Sequence, residues 1–231
     1  MKRRFFTILF VFSVVGVFAG IVFHAEWFGY LCKPLIMISI GGYFLLNAKN
    51  IDGKAVRFAF VAFLFSLFGD SFLMFTEKAM TFFLSGLASF LVAQIFYILL
   101  FHRTIKISEG EPFLRKNLLY LNGYIMYGFS IYTLLFNHLD IVLKIAVFVY
   151  MVALLGMSAM ALNRYKAVNS KSFFLVFAGS VLFVISDLLI AIDKFLTPIP
   201  NDRLFVMSTY IAAQYLIMRG ILKQFDKELI S

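Results

Sequence analysis

Charge is scarce in this chain of 231 residues. Only 14% of residues are charged against 62% hydrophobic, a balance that excludes an ordinary water-soluble domain. A single cysteine, Cys32, excludes an internal disulfide and a cysteine-based metal site, and its expected role is packing. Proline is nearly absent, and the only one within an apolar run, Pro34, stands near where that run begins. The three histidines, His24, His102 and His138, fall in or beside expected loops without metal-ligand spacing, so no metal and no organic cofactor is expected. There is no Gly-x-Ser-x-Gly elbow, P-loop or dinucleotide fingerprint, which leaves serine hydrolases and nucleotide-driven machines without support. Nothing in the chain is low-complexity or linker-like.

What fills the chain instead is apolar runs. They lie near Phe5–Phe23, Tyr30–Leu46, Ala55–Phe75, Thr81–Phe101, Asn117–Phe136, Ile141–Leu162, Ser172–Ala191 and Leu204–Leu222. A helix needs about 20 mostly apolar residues to cross a hydrocarbon layer roughly 30 Å thick, and each run is of that order. Strands in lipid would leave edge groups unpaired, so the pattern predicts an all-α polytopic transmembrane bundle of about eight helices forming a single integral membrane domain over residues 1–231. His102–Lys116 reads as the longest loop.

The net charge of +9 is explained by topology rather than by nucleic acid, because the basic residues cluster by side of the membrane. With a cytoplasmic N-terminus, that side carries Lys2, Arg3, Arg4, Lys49, Lys54, Arg57, Arg103, Lys106, Arg115, Lys116, Arg164, Lys166, Lys171, Arg219, Lys223 and Lys227. The other carries Lys78, Lys194 and Arg203, with Lys33 and Lys144 near span ends. Sixteen against three predicts a multi-pass protein of the cell membrane with both termini in the cytoplasm. The first run follows Lys2, Arg3 and Arg4 like a signal peptide, but its length and the lack of a small-x-small site make it a retained span.

A weak internal echo links spans four apart. Leu67-Phe68-Gly69-Asp70 in the third answers Val184-Ile185-Ser186-Asp187 in the seventh, and Ala93-Gln94 in the fourth answers Ala213-Gln214 in the eighth. Two parallel four-helix halves would produce this pattern.

Asp70 and Asp187 are the candidate chemistry. An aspartate within a span costs at least about 2.5–3.5 kcal/mol on insertion scales, and so marks a functional site by default. Both acids sit about two-thirds of the way along spans of the same direction, so the pattern predicts similar depth and a shared cavity. There, desolvation and mutual repulsion would keep one carboxyl protonated near neutrality. Ser66, Ser71 and Ser186 are placed to help satisfy them. The plainer alternative is that each acid pairs with a lysine, Lys33 or Lys144, as structural glue or as a relay.

Gly86, Phe90, Gln94 and Tyr97 share one face of the fourth span, and Tyr210, Gln214 and Ile217 share one face of the eighth. The glutamines either hold a water or a substrate polar group or bridge helices. Lys33 either snorkels to the headgroups or pairs with a lipid phosphate or with Asp70. Tyr127, Tyr132 and Tyr150 read as interfacial anchors or packing.

Several of these patches together resemble the YhhN family of membrane proteins, whose animal members include lysoplasmalogenases of the TMEM86 type. The matching pieces are Lys33-Pro34-Leu35, Phe68-Gly69-Asp70 with Leu73, Gly86 through Phe90 to Tyr97, Phe183-Val184-Ile185-Ser186-Asp187 with Leu188 and Leu189, and Tyr210 with Gln214. They run in family order across most of the chain. At the position of Gln94 the family commonly carries histidine. The resemblance implies a hydrolase that cleaves the vinyl ether bond of lysoplasmalogens to a fatty aldehyde and glycerophosphoethanolamine or glycerophosphocholine. It implies Asp70 and Asp187 as catalytic groups and Lys33, Gln94, Tyr97, Ser186, Tyr210 and Gln214 as substrate-binding ones, with a lysophospholipid substrate drawn from the bilayer. One aspartate would protonate the vinyl ether and the other would stabilise the cation.

Two other readings use the same acids. An intramembrane aspartyl protease would also carry a Gly-Asp element, but the adjacency of its two acidic spans and its Pro-Ala-Leu are missing here. A proton-coupled transporter would use Asp70, Asp187 and Lys33 as a relay.

Overall fold

The computed structural model describes residues 2–226; Lys227, assigned above to the cytoplasmic side, lies outside them. Among the described residues there are nine α-helices and no strand. They are α1 Lys2–Val22, α2 Glu26–Asn47, α3 Gly53–Leu73, α4 Met80–Ile107, α5 Phe113–Lys116, α6 Leu119–Phe136, α7 Ile141–Leu162, α8 Ser170–Phe195 and α9 Asp202–Gln224. Seven of them, α1 to α4 and α7 to α9, are long and apolar enough to cross a membrane. The chain is a multi-pass membrane protein of the all-α class.

The expected span at 117–136 becomes α6, 18 residues long and not among those seven. Four tyrosines, Asn122 and two glycines dilute its apolar content. At 1.5 Å per residue it still measures about 27 Å, and it lies antiparallel to α7 along its length. Tyr124 Oη lies 3.3 Å from Ser158 Oγ, Gly128 faces Leu155 and Met151, and Tyr132 Oη donates to Lys144 O at 3.2 Å. The two helices thus form an antiparallel pair. Leu119, Ile125, Met126 and Phe129 on α6 are exposed, as are Ile141, Ile145 and Val152 on α7, the distribution expected of helices facing lipid.

Two expectations about boundaries are corrected. His102–Lys116 is not one loop, since α4 continues to Ile107 and Phe113–Lys116 is the short helix α5. Pro34 is not at the start of its span; it lies inside α2, which begins at Glu26. Its missing N–H removes one rung of the helix ladder, and within a membrane such a break is tolerated when neighbouring groups re-satisfy the backbone.

The chain divides into two compact units at Phe96/Tyr97. In the first, α2 packs against α1 and α3, and small residues permit close approach between α1 and α2 and between α3 and α4. A Cβ on Gly16 would stand 2.4 Å from Cys32 Sγ, and one on Gly69 would stand 2.5 Å from the Phe90 ring. This is how apolar helices associate in lipid, where close packing replaces the hydrophobic drive.

In the second unit, α8 and α9 form the tightest pair, with Gly179 against Ala213 O and Gly220 against Val176. One end of this unit is tied by Arg164, two residues beyond α7 and completely buried. Its Nε donates to Thr104 Oγ1 at 3.0 Å and its Nη2 to Ser172 Oγ at 2.7 Å, while Ser172 Oγ donates to Gly220 O at 2.7 Å. Burial pulls the guanidinium down to about 9, which still leaves it cationic at pH 7. Nη1 also donates to Ser172 O at 3.5 Å, so the guanidinium ties the last turns of α4 to the first turn of α8. Asn163 Oδ1 accepts from Leu114 N at 2.8 Å and Gln224 Nε2 donates to Ser108 Oγ at 2.6 Å, so α5 and the ends of α4, α7 and α9 gather at this same end.

Candidate active site

Each aspartate stands at the same register of its own helix. Asp52 caps α3 by accepting from Ala55 N at 3.1 Å, and Asn169 caps α8 by accepting from Lys171 N and Ser172 N at 2.9 and 3.2 Å. Asp70 and Asp187 each follow their cap by 18 residues, about 27 Å along the axis. The internal echo therefore extends from the acids back to the helix starts.

In the first unit Asp70 is only 2% exposed, and Lys33 Nζ lies 3.7 Å from its Oδ1. Of the alternatives for Lys33, pairing with Asp70 is realised, and its side chain keeps 19% exposure. The separation exceeds a hydrogen bond, so the contact is an ion pair held through charge. Removing one member of such a buried pair costs on the order of 3–5 kcal/mol, because the other charge is left uncompensated. Gly69, beside the acid, is covered by the Phe90 ring, and Leu73, one turn later, sits on Gly86. The Gly86–Phe90 stripe of α4 is thus the wall of α3 at the level of Asp70.

Gln94, one turn beyond Phe90, is completely buried, yet neither Nε2 nor Oε1 has a hydrogen-bond partner. An unmade bond at a buried polar atom costs about 1–3 kcal/mol.

In the second unit Asp187 is half-buried, and its Oδ2 accepts from Tyr150 Oη at 2.6 Å. Tyr150 is therefore not merely an anchor or packing residue. Thirty-seven residues separate the two, and no local signal in the sequence links them. Lys144, named above as a possible partner for an acid, sits with its ammonium 3.9 Å from the centroid of the Phe136 ring.

Tyr97 Oη donates to Gln214 Oε1 at 2.5 Å, and Gln214 Nε2 donates to Tyr210 Oη at 3.3 Å. All three are buried, and Gln214 bridges α4 to α9 as one of its two readings required. The echo between Gln94 and Gln214 thus breaks at the level of bonding, with one amide engaged and the other orphaned.

Two serines do not do what their position suggests. Ser186 Oγ donates to Val206 O at 3.2 Å and Ser71 Oγ to Leu67 O at 2.8 Å. Both satisfy backbone carbonyls rather than the neighbouring acids, because a serine hydroxyl in a helix reaches the preceding turn or an abutting helix more readily than an adjacent side chain. Among the described residues no cluster of three or more His, Cys, Asp or Glu side chains could hold a metal ion.

The family model of the YhhN family matches residues 28–221. The chain belongs to the YhhN family. All the candidate residues, from Lys33 to Gln214, lie within the matched YhhN region. Lysoplasmalogenase TMEM86A of Bos taurus is 33% identical over 189 residues, covering 80% of this chain and 72% of the relative. Lysoplasmalogenase TMEM86A of Homo sapiens is 32% identical with the same coverage. Lysoplasmalogenase TMEM86B of Sus scrofa is 32% identical over 196 residues, covering 85% of this chain and 76% of the relative. No solved structure matches this YhhN protein.

Proposed function

We propose that this protein is a membrane lysoplasmalogenase that hydrolyses the vinyl ether bond of a lysophospholipid using Asp70 and Asp187. The observation that carries the reading is a run of lysoplasmalogenase relatives matching most of the chain, combined with an aspartate buried inside a span beside a lysine. A single-chain lipid can enter from the bilayer, leaving its alkenyl chain among apolar side chains.

The chemistry suits two carboxyls in unlike surroundings. Asp70 takes the ionised role, since the Lys33 ammonium supplies its counter-charge. Asp187, which accepts from Tyr150 Oη, is assigned the role of proton donor. It delivers its proton to the β-carbon of the vinyl ether, producing an oxocarbenium ion that the Asp70 carboxylate stabilises. Water adds to the cationic carbon and gives a proton to Asp70. The hemiacetal then passes its hydroxyl proton to Asp187 while the glycerol oxygen leaves with the proton held by Asp70, so aldehyde and glycerophospholipid form and both acids return to their starting states. No metal or organic cofactor enters.

The test is aldehyde release from alkenyl-lysophosphatidylethanolamine by the purified protein, beside Asp70→Asn and Asp187→Asn. Aldehyde from the parent and a loss of at least about a hundredfold in each folded variant is expected. A folded parent that releases no aldehyde overturns the reading and turns attention to a proton-coupled carrier with Asp70, Asp187 and Lys33 as its relay.

We place the protein in the cell membrane with both termini in the cytoplasm. In the second unit, Arg103, Lys106, Arg115, Lys116, Arg164, Lys166, Lys171, Arg219 and Lys223 belong to the end tied by Arg164, against Lys144, Lys194 and Arg203 at the other. In the first, Lys2, Arg3, Arg4 and Lys49 line one groove. Such clustering favours retention on the cytoplasmic side.

A further inference from the structure

Gln94 is the one side chain of α4 that is polar, wholly buried and orphaned at both amide atoms. A helix-bridging role would require a partner, as Gln214 has in Tyr97 and Tyr210. A packing role would be filled better by methionine or leucine, which occupy similar space with nothing to satisfy. The group is also well placed. Phe90, one turn before it on the same face of α4, lies against Gly69, the neighbour of Asp70.

A primary amide presents one acceptor and one donor side by side. A phosphate or carboxylate offers only acceptors and would leave Oε1 unmet. A hydroxyl beside an ether oxygen answers both, the hydroxyl donating to Oε1 and the ether oxygen accepting from Nε2. That pair of groups is the glycerol portion of a 1-ether lysolipid, whose second carbon bears a free hydroxyl next to the ether oxygen. We propose that Gln94 binds the free glycerol hydroxyl of the lysolipid, and so selects lipids that lack a second chain. Acylation of this hydroxyl removes the donor and leaves Oε1 unpaired in the complex, which is the circumstance in which a polar site discriminates most strongly. The inference rests on the proposed function for its substrate, and a bound water is the other source of the same hydroxyl chemistry.

The test separates these. A saturated 1-alkyl-lysophosphatidylethanolamine, which has no vinyl ether to cleave, and its 2-deoxy analogue are titrated against the purified protein and against Gln94→Met, with melting temperature as readout. The hydroxyl lipid is expected to bind the parent at least about tenfold more tightly than the deoxy lipid. In Gln94→Met the ratio falls to near one, while the lipid-free variant melts no lower than the parent. A preference that survives in the variant overturns the proposal, as does a variant that binds both lipids equally more weakly than the parent, which would assign the amide to water. A lipid-free Gln94→Met that melts several degrees lower, with Gln94→Glu likewise, makes Gln94 a structural bridge and also overturns it. Because neither lipid is a substrate, these outcomes stand whether or not the parent releases aldehyde.

Discussion

At the scale of single residues, the contrast between Asp70 and Gln94 shows how a buried polar group is used. Asp70 has a counter-charge within 4 Å, supplied from a different helix, whereas Gln94 has no partner among the described residues. The first is a charge whose removal of partner is costly, and the second is a group waiting for one. Lys33→Met is therefore expected to lower stability by roughly 3 kcal/mol, and Asp70→Asn in the same background is expected to recover most of that loss. Denaturation of the single and double variants in detergent checks this; additive losses would show that the pair does not interact. The ion pair was one of several readings open for Lys33 in the sequence, but nothing there ranked it first, because the residues are 37 positions apart and only the packing of α2 on α3 brings them together.

Among the elements, α8 and α9 are held by close backbone approach, and α6 rests on α7 mainly through side chains. At Gly179 an added Cβ would meet Ala213 O at 2.8 Å and Ile217 N at 3.0 Å, and backbone cannot step aside as a side-chain tip can. Gly179→Ala is expected to cost on the order of 1–3 kcal/mol by forcing the two helices apart. At Gly123 on α6 nothing lies within 4 Å, so Gly123→Ala is expected to be neutral or to add up to about 1 kcal/mol through helix propensity. Thermal melting of the two variants side by side checks the difference. Equal effects would mean that the α8–α9 contact is not set by glycine. Hydropathy announces where these helices are, and glycine content hints that some will approach closely. Which glycine faces which backbone depends on rotation about each helix axis, and a uniformly apolar span carries little periodic signal to fix it.

At the scale of the whole molecule, the number of crossings decides where the termini lie. Seven helices meet the length and hydropathy of a span, and if α6, which runs antiparallel beside α7, crosses with it, the crossings number eight. With eight, cysteines introduced at Lys2 and Asp226 are expected to react only with reagents that reach the cytoplasmic side. Cys32 is completely buried and should contribute little background. Labelling of the two positions from opposite sides would show that α6 does not cross.

Composition and hydropathy by themselves determined that the chain is all-helical and resides in a membrane, since a polypeptide with so little charge has no other way to satisfy its backbone in lipid. The lone acids Asp70 and Asp187 were equally visible, because an aspartate inside an apolar run stands out against the cost of placing it there. The partners of those acids were not. Lys33, Tyr150 and the orphaned amide of Gln94 acquire their meaning from which helix faces turn toward one another, and that is settled by glycine-mediated packing and long-range hydrogen bonds. The same is true of Arg164, which the sequence assigns only to the cytoplasmic side and which the tertiary structure buries completely, with the hydroxyls of Thr104 and Ser172 in place of water.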